Sequence, residues 1–185
     1  MVTLRTMPGN GEEQDGLRPI LAVDVDGVIS LFGFDNPTDA LEGGEAARSP
    51  CEFHLIDGIA HCISHAAGER LLRLAEWYEL VWATGWEERA NDYLPSLLGL
   101  PQELPYLTFD GRARFGSAHW KIDAISEYAG TRPVAWVDDC IDESCRFWAH
   151  MRRTPTLLVP VDSRHGLEEA QTEALIDWVR GGYTP

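Results

Sequence analysis

The sequence predicts an α/β domain in three layers, a doubly wound parallel sheet with helices on both faces and a β-hairpin flap. Three observations carry that prediction. Short continuous apolar runs end abruptly in polar residues, most clearly Ile20-Leu21-Ala22-Val23-Asp24 and Val134-Ala135-Trp136-Val137-Asp138. Such runs read as strands buried on both faces. Segments of helical periodicity separate the runs, and alternation of strand and helix means a parallel sheet. Finally, two alternating stretches flank Asp57-Gly58, which is a hairpin signal.

The elements follow in order. Residues 1–18 carry Gly9, Gly11, Glu12, Glu13 and Asp15 and lack the apolar core of a signal peptide, so they read as a flexible acidic leader. Residues 19–185 are expected to form one domain. The first strand ends at Asp24-Val25-Asp26-Gly27, and the Gly-, Asp- and Pro-rich stretch 30–50 reads as a long loop. The hairpin, 51–56 and 59–63, falls between the first strand and the next helix, where it would hang over the strand ends.

A helix is expected over 67–78 from the spacing of Leu71, Leu72, Leu74, Ala75 and Tyr78, and a second strand over 79–84. Residues 86–98 read as helix, with Pro95 expected to kink or split it and Gly99 to cap it. Residues 101–108 give a short strand at best. Helices over 117–128, 142–151 and 167–179 then alternate with strands over 133–137 and 156–159.

Composition limits the partners. The net charge is −15 and the pI about 4.6, so the surface repels polyphosphate backbones and argues against tight, sequence-independent nucleic-acid binding. No apolar run approaches a membrane span. Arg146, Arg152 and Arg153 read as a solvated helix end. The four cysteines show no Cys-x-x-Cys spacing, and without a secretion signal they are expected to be reduced thiols in a cytoplasmic protein.

The strand ends carry the candidate chemistry. Parallel strands bring their carboxyl ends together, so Asp24, Asp26, Thr84 and Asp138-Asp139 can meet, with Lys121 from a helix start. Two carboxylates two positions apart repel each other, and a hard dication with oxygen ligands is the natural compensation. Bland readings compete: a solvated Asp-Gly turn, Thr84-x-x-Glu87 as a capping box, a helix N-terminus welcoming Asp138-Asp139. Lys121 is the only lysine of the chain, so no other lysine competes for its place.

This ordered set resembles the four motifs of the haloacid dehalogenase (HAD) superfamily, most of whose members are Mg2+-dependent phosphohydrolases. Asp24-Val25-Asp26-Gly27-Val28 is similar to the first motif, Thr84 to the second, Lys121 to the third and Asp138-Asp139 to the fourth. The resemblance implies a phosphatase that hydrolyses a phosphomonoester through an aspartyl-phosphate on Asp24. Asp26 would be the acid and then the base; Thr84, Gly85 and Lys121 would hold the phosphoryl group. Mg2+ would rest on Asp24, the Asp26 backbone carbonyl, and Asp138 or Asp139. Asp142 would stand behind them, and His119 reads as a surface neighbour rather than a catalyst.

The intervals between motifs leave no room for a large cap, which resembles the capless type, whose open site suits bulky or macromolecular substrates; a small-molecule or terminal phosphomonoester is the expected substrate. Trp82-Ala83-Thr84-Gly85-Trp86-Glu87 with Gly166-Leu167 is similar to a small bacterial group of HAD-like domains, some found in RNA-repair proteins. The alternative is a non-catalytic or phospho-acceptor HAD-like domain with a binding or regulatory role. Receiver domains place their acidic pair before the acceptor, whereas here it follows, and carbon-attacking dehalogenases need no metal acids. Trp82, Trp86, Trp120 and Trp148 are candidates to frame a pocket, although Trp at such contacts is commonly core.

Overall fold

Each strong apolar run becomes a strand of one parallel sheet. The computed structural model describes residues 18–33, 51–109 and 116–184. The leader and most of the loop expected over 30–50 therefore lie outside the described residues. Strands β1 (Ile20–Val23), β5 (Glu79–Trp82), β6 (Val134–Asp138) and β7 (Thr156–Pro160) pair in parallel in the order β5-β1-β6-β7. A second sheet orders β2 (Ser30–Leu31), β4 (Ile59–Ser64) and β3 (Cys51–Ile56) as β2-β4-β3, antiparallel throughout.

Side chains alternate across β1, and the two parities feed two cores. Leu21 and Val23 pack with Leu71 and Leu74 of α1 (His65–Leu74), Leu94 and Leu98 of α2 (Ala90–Leu98), and Leu175 of α5 (Glu169–Arg180). Ile20 and Ala22 face the other way, onto Ile125 and Ala129 of α3 (Ile122–Ala129) and Cys145 of α4 (Glu143–Met151). The result is a parallel sheet between two helical layers, compatible with a Rossmann-like core. No helix among the described residues is long and apolar enough to cross a membrane.

The chain leaves β1 to pair β5 on one side and β6 on the other, so the order reverses beside β1. Open α/β sheets bind ligands at the carboxyl ends at such a reversal. Asp24 follows β1 and Asp138 ends β6, so the two acids flank it.

Several expectations need correction. The strand expected over 101–108 reduces to one parallel bridge between Trp82 and Tyr106, because Pro101 and Pro105 each lack the N–H a ladder needs. The loop expected from residue 30 begins instead as β2, which makes the flap a three-stranded sheet. Pro95 does not split its helix: α2 runs through it, and the break comes earlier, where Glu87 takes a φ of 50° and opens a 3-10 turn (Glu87–Arg89). The Thr84-to-Glu87 capping box does not form either, since the Glu87 carboxylate accepts from Phe109 N instead.

The hairpin turn is as read: Asp57 and Gly58 both have positive φ, 51° and 81°, the signature of a type I′ turn. The cysteines are not all reduced. Cys51 and Cys62 form a disulfide, because the β3–β4 register sets their Cα atoms 5.8 Å apart, inside the bridging range. Cys140 and Cys145 remain free. Arg152 is not a merely solvated helix end, because its guanidinium donates to Thr154 and Thr156 and to the Arg132 carbonyl.

Candidate functional site

The turn after β1 is wound tightly. The Val25 carbonyl accepts from Val28, Ile29 and Ser30 amides at 3.2, 2.8 and 2.9 Å, which turns the chain back toward the flap. Gly27 sits in this turn at φ 74°, and a Cβ there would fall 2.4 Å from the Asp139 carboxylate. Only glycine fits, for both reasons at once.

Asp24 is anchored at both oxygens. Oδ1 accepts from Val25 N at 2.7 Å, and Oδ2 lies 2.8 Å from Lys121 Nζ. Lys121 reaches in from a 3-10 turn, His119–Lys121, that leads into α3, and is 3 % exposed. The same ammonium donates to Asp138 Oδ2 at 2.6 Å, while Asp138 Oδ1 accepts from Cys140 N at 2.8 Å. One cation thus serves two buried acids.

Asp26 and Asp139 add two more carboxylates. Asp26 Oδ2 accepts from the Trp86 indole N–H at 3.0 Å. Burial pushes the Asp24 carboxyl up to about 8, with Asp138 adding to the rise and Lys121 opposing it. Burial also raises Asp26, against the Trp86 hydrogen bond, and raises Asp139. Lys121 loses solvation too, yet Asp24 and Asp138 hold its pKa above the ordinary lysine value. Four acids around one ammonium leave negative charge in excess, in surroundings too dry to screen it.

These groups open into a cavity of about 540 Å³, lined by Asp24, Asp26, Gly85, Lys121, Asp138 and Asp139. That size suits a small ligand or one end of a larger one. Thr84 is 1 % exposed and, unlike Gly85, does not line it. The Thr84 hydroxyl accepts from Trp86 N at 3.4 Å, which leaves its own hydrogen free to donate elsewhere. Asp142 caps α4 by accepting from Cys145 N at 3.1 Å and also receives the Ser117 hydroxyl. His119 is exposed and pairs with Ser117.

Of the four tryptophans weighed for a pocket, Trp86 and Trp120 line the cavity. Trp82 is fully buried and Trp148 packs edge-on against Trp136. The sequence reading missed His61, which faces the cavity, stacks edge-on with Trp86 at 4.8 Å and hydrogen-bonds Ser30 Oγ at 2.9 Å. Strand parity was the available signal, because Ile59 and His61 are two apart on β4 and both line the cavity. Phe32, just after β2, was missed because β2 itself was read as loop.

The surplus of carboxylates over a single ammonium is a grouping that could hold a metal ion. Asp138, Asp139 and Cys140 offer ligand atoms that lie within 4.8 Å of one another. Asp138 is already engaged by Lys121 and Cys140 N, while the Asp139 carboxylate packs against the Gly27 turn, on the Asp26 side. Compared with known proteins, the chain matches no family model, and no curated protein is detectably similar to it.

Proposed function

We propose that the chain is a metal-dependent phosphohydrolase of the HAD type, cleaving a phosphomonoester through an aspartyl-phosphate on Asp24. The observation that carries this reading is the shared ammonium: Lys121 Nζ stands between Asp24 at 2.8 Å and Asp138 at 2.6 Å, at the reversal of a parallel sheet. A nucleophilic carboxylate, a cation for phosphoryl oxygens and surplus acids for a metal are what such a reaction requires.

Asp24 supplies the attacking oxygen, and the Val25 amide on Oδ1 fixes its rotamer so that Oδ2 faces the cavity side with Lys121. Lys121 neutralises charge gathering on the phosphoryl oxygens, helped by the Gly85 amide at the cavity wall. Asp26, with its pKa raised, donates a proton to the leaving oxygen and then takes one from the attacking water. Trp86 holds the Asp26 carboxylate in place through that exchange. The residues that would hold Mg2+ are Asp24, the Asp26 backbone carbonyl and Asp139, with Asp138 behind; bound there it would offset the surplus charge and polarise the phosphoryl group.

The substrate is a small-molecule phosphomonoester or a phosphorylated terminus, its leaving group seated between Trp86, Trp120 and the flap residues Ile56 and Ile59. The test is turnover of p-nitrophenyl phosphate, nucleotides, sugar phosphates and 3′-phosphorylated oligonucleotides, with Mg2+ and with EDTA. Metal-dependent turnover by the wild type that Asp24→Asn lacks supports the reading. Wild-type silence across the whole panel with Mg2+ present sinks it.

A further inference from the structure

The flap carries a second constellation of metal-binding side chains, none of which lines the Asp24 cavity. Glu52 and His54 are two apart on β3 and so share one face of it, and His65 opens α1 beside them. Glu52 Oε2 lies 3.2 Å from His65 Nε2 and 3.7 Å from His54 Nε2, and the three donor atoms all fall within 4.8 Å of one another.

Hydrogen-bond accounting makes this cluster incomplete. His65 Nδ1 is 3.2 Å from the Leu97 carbonyl, which can only accept, so Nδ1 carries the proton. In the neutral ring Nε2 then presents a lone pair, and it points at a carboxylate oxygen that also has only lone pairs to offer. The third atom, His54 Nε2, is buried with no hydrogen-bond partner. A second proton on His65 would satisfy Glu52 and still leave His54 Nε2 orphaned. One cation among the three satisfies all of them.

We propose that Glu52, His54 and His65 form a Zn2+ site that fastens the flap to the start of α1. Two imidazoles and a carboxylate suit Zn2+, which accepts three protein ligands and keeps a fourth position open. Zinc bonds of about 2.0–2.1 Å in tetrahedral geometry separate neighbouring donors by roughly 3.4 Å, close to the two spacings here. The Leu97 carbonyl supplies the outer hydrogen bond that zinc-ligating histidines ordinarily make through their other ring nitrogen. Because Ile56, Asp57, Ile59 and His61 on the same hairpin line the Asp24 cavity, a clamp at its base sets how the flap stands over that cavity.

The experiment is equilibrium dialysis of the full oxidised chain against Zn2+, with the visible spectrum of the Co2+-loaded protein as a geometric readout. Four chains are compared: wild type, Glu52→Gln, His54→Ala and Asp139→Asn. Glu52 is 65 % exposed at its side chain, so Glu52→Gln leaves the fold intact even where His54→Ala does not. The site predicts a tetrahedral Co2+ spectrum and one Zn2+ that Asp139→Asn retains, with affinity falling about tenfold or more in Glu52→Gln and His54→Ala. A wild type that takes up no Zn2+ overturns the proposal. So does uptake that Asp139→Asn abolishes while Glu52→Gln leaves it unchanged.

Discussion

The parallel sheet and the flap differ in how much of their stability rests on burial alone. Every residue of β1 and β6 is buried, and the sheet's order comes from apolar area removed from water on both faces. The flap buries Leu31, Ile56, Cys62 and Ile63 as well, but it exposes Leu55 at 76 % and Ile59 at 63 % and adds side-chain ties. Those ties are the Cys51–Cys62 disulfide, the Ser30–His61 hydrogen bond, the ion pair of Arg89 with Asp57 and the Tyr93 hydroxyl on Asp57. The cavity lies where the two meet. Its charged groups stand at the sheet ends and on the turn before α3, and its apolar wall comes partly from Ile56 and Ile59 of the hairpin.

That difference can be broken in graded steps. Lys121→Ala should have the largest effect on stability, because it strands Asp24 and Asp138 as buried acids without their cation. The expected loss is about 3–5 kcal/mol in urea unfolding at neutral pH, and Lys121→Arg should not fully restore it because the guanidinium is larger and planar. Leu71→Ala, at a fully buried core position, should cost about 2–5 kcal/mol. Leu55→Ala on the flap should stay within about 0.5 kcal/mol in the same assay. Equal losses for the two leucine variants would erase the distinction between sheet and flap.

A smaller effect concerns the helix that follows the acidic pair. The Ser117 hydroxyl first, and the α4 amides with it, hold the Asp142 carboxyl down at about 2 from the ordinary 3.8. A depressed carboxyl stabilises the fold above its unfolded pKa and loses that contribution as pH falls through its folded value. Asp142→Ala should therefore cost about 1 kcal/mol at pH 7, shrinking between roughly pH 4 and pH 2. Thermal unfolding of both chains across that range measures it.

What the sequence disclosed follows the same division. Asp24 and Asp138 were legible because a buried parallel strand leaves a continuous apolar run and its end is marked by the first acid. Lys121 stood out by being the only lysine. The flap was legible only as far as its turn, since Asp57-Gly58 announces a hairpin but not what its strands pack against. His61 facing Asp26 and Trp86 bonding Asp26 across 60 positions depend on how segments far apart in the chain come together. Local pattern carries no such information. The segment 101–108, read as a short strand at best, shortens to the single bridge at Tyr106, beside a proline that lacks a ladder donor.

If Asp24 is the nucleophile of the proposed reaction, its phosphorylated form can be trapped. A phosphomonoester labelled in its phosphoryl group would be mixed with the full chain in the presence of Mg2+ and quenched in acid, and any labelled peptide identified. A hydroxylamine-labile phosphate should appear on the peptide containing Asp24 and be absent from Asp24→Asn. That variant should fold at least as stably as the wild type, because it removes surplus buried charge and keeps an acceptor for Lys121. Turnover by the wild type without label on Asp24, or label that persists in folded Asp24→Asn, would contradict that role for Asp24.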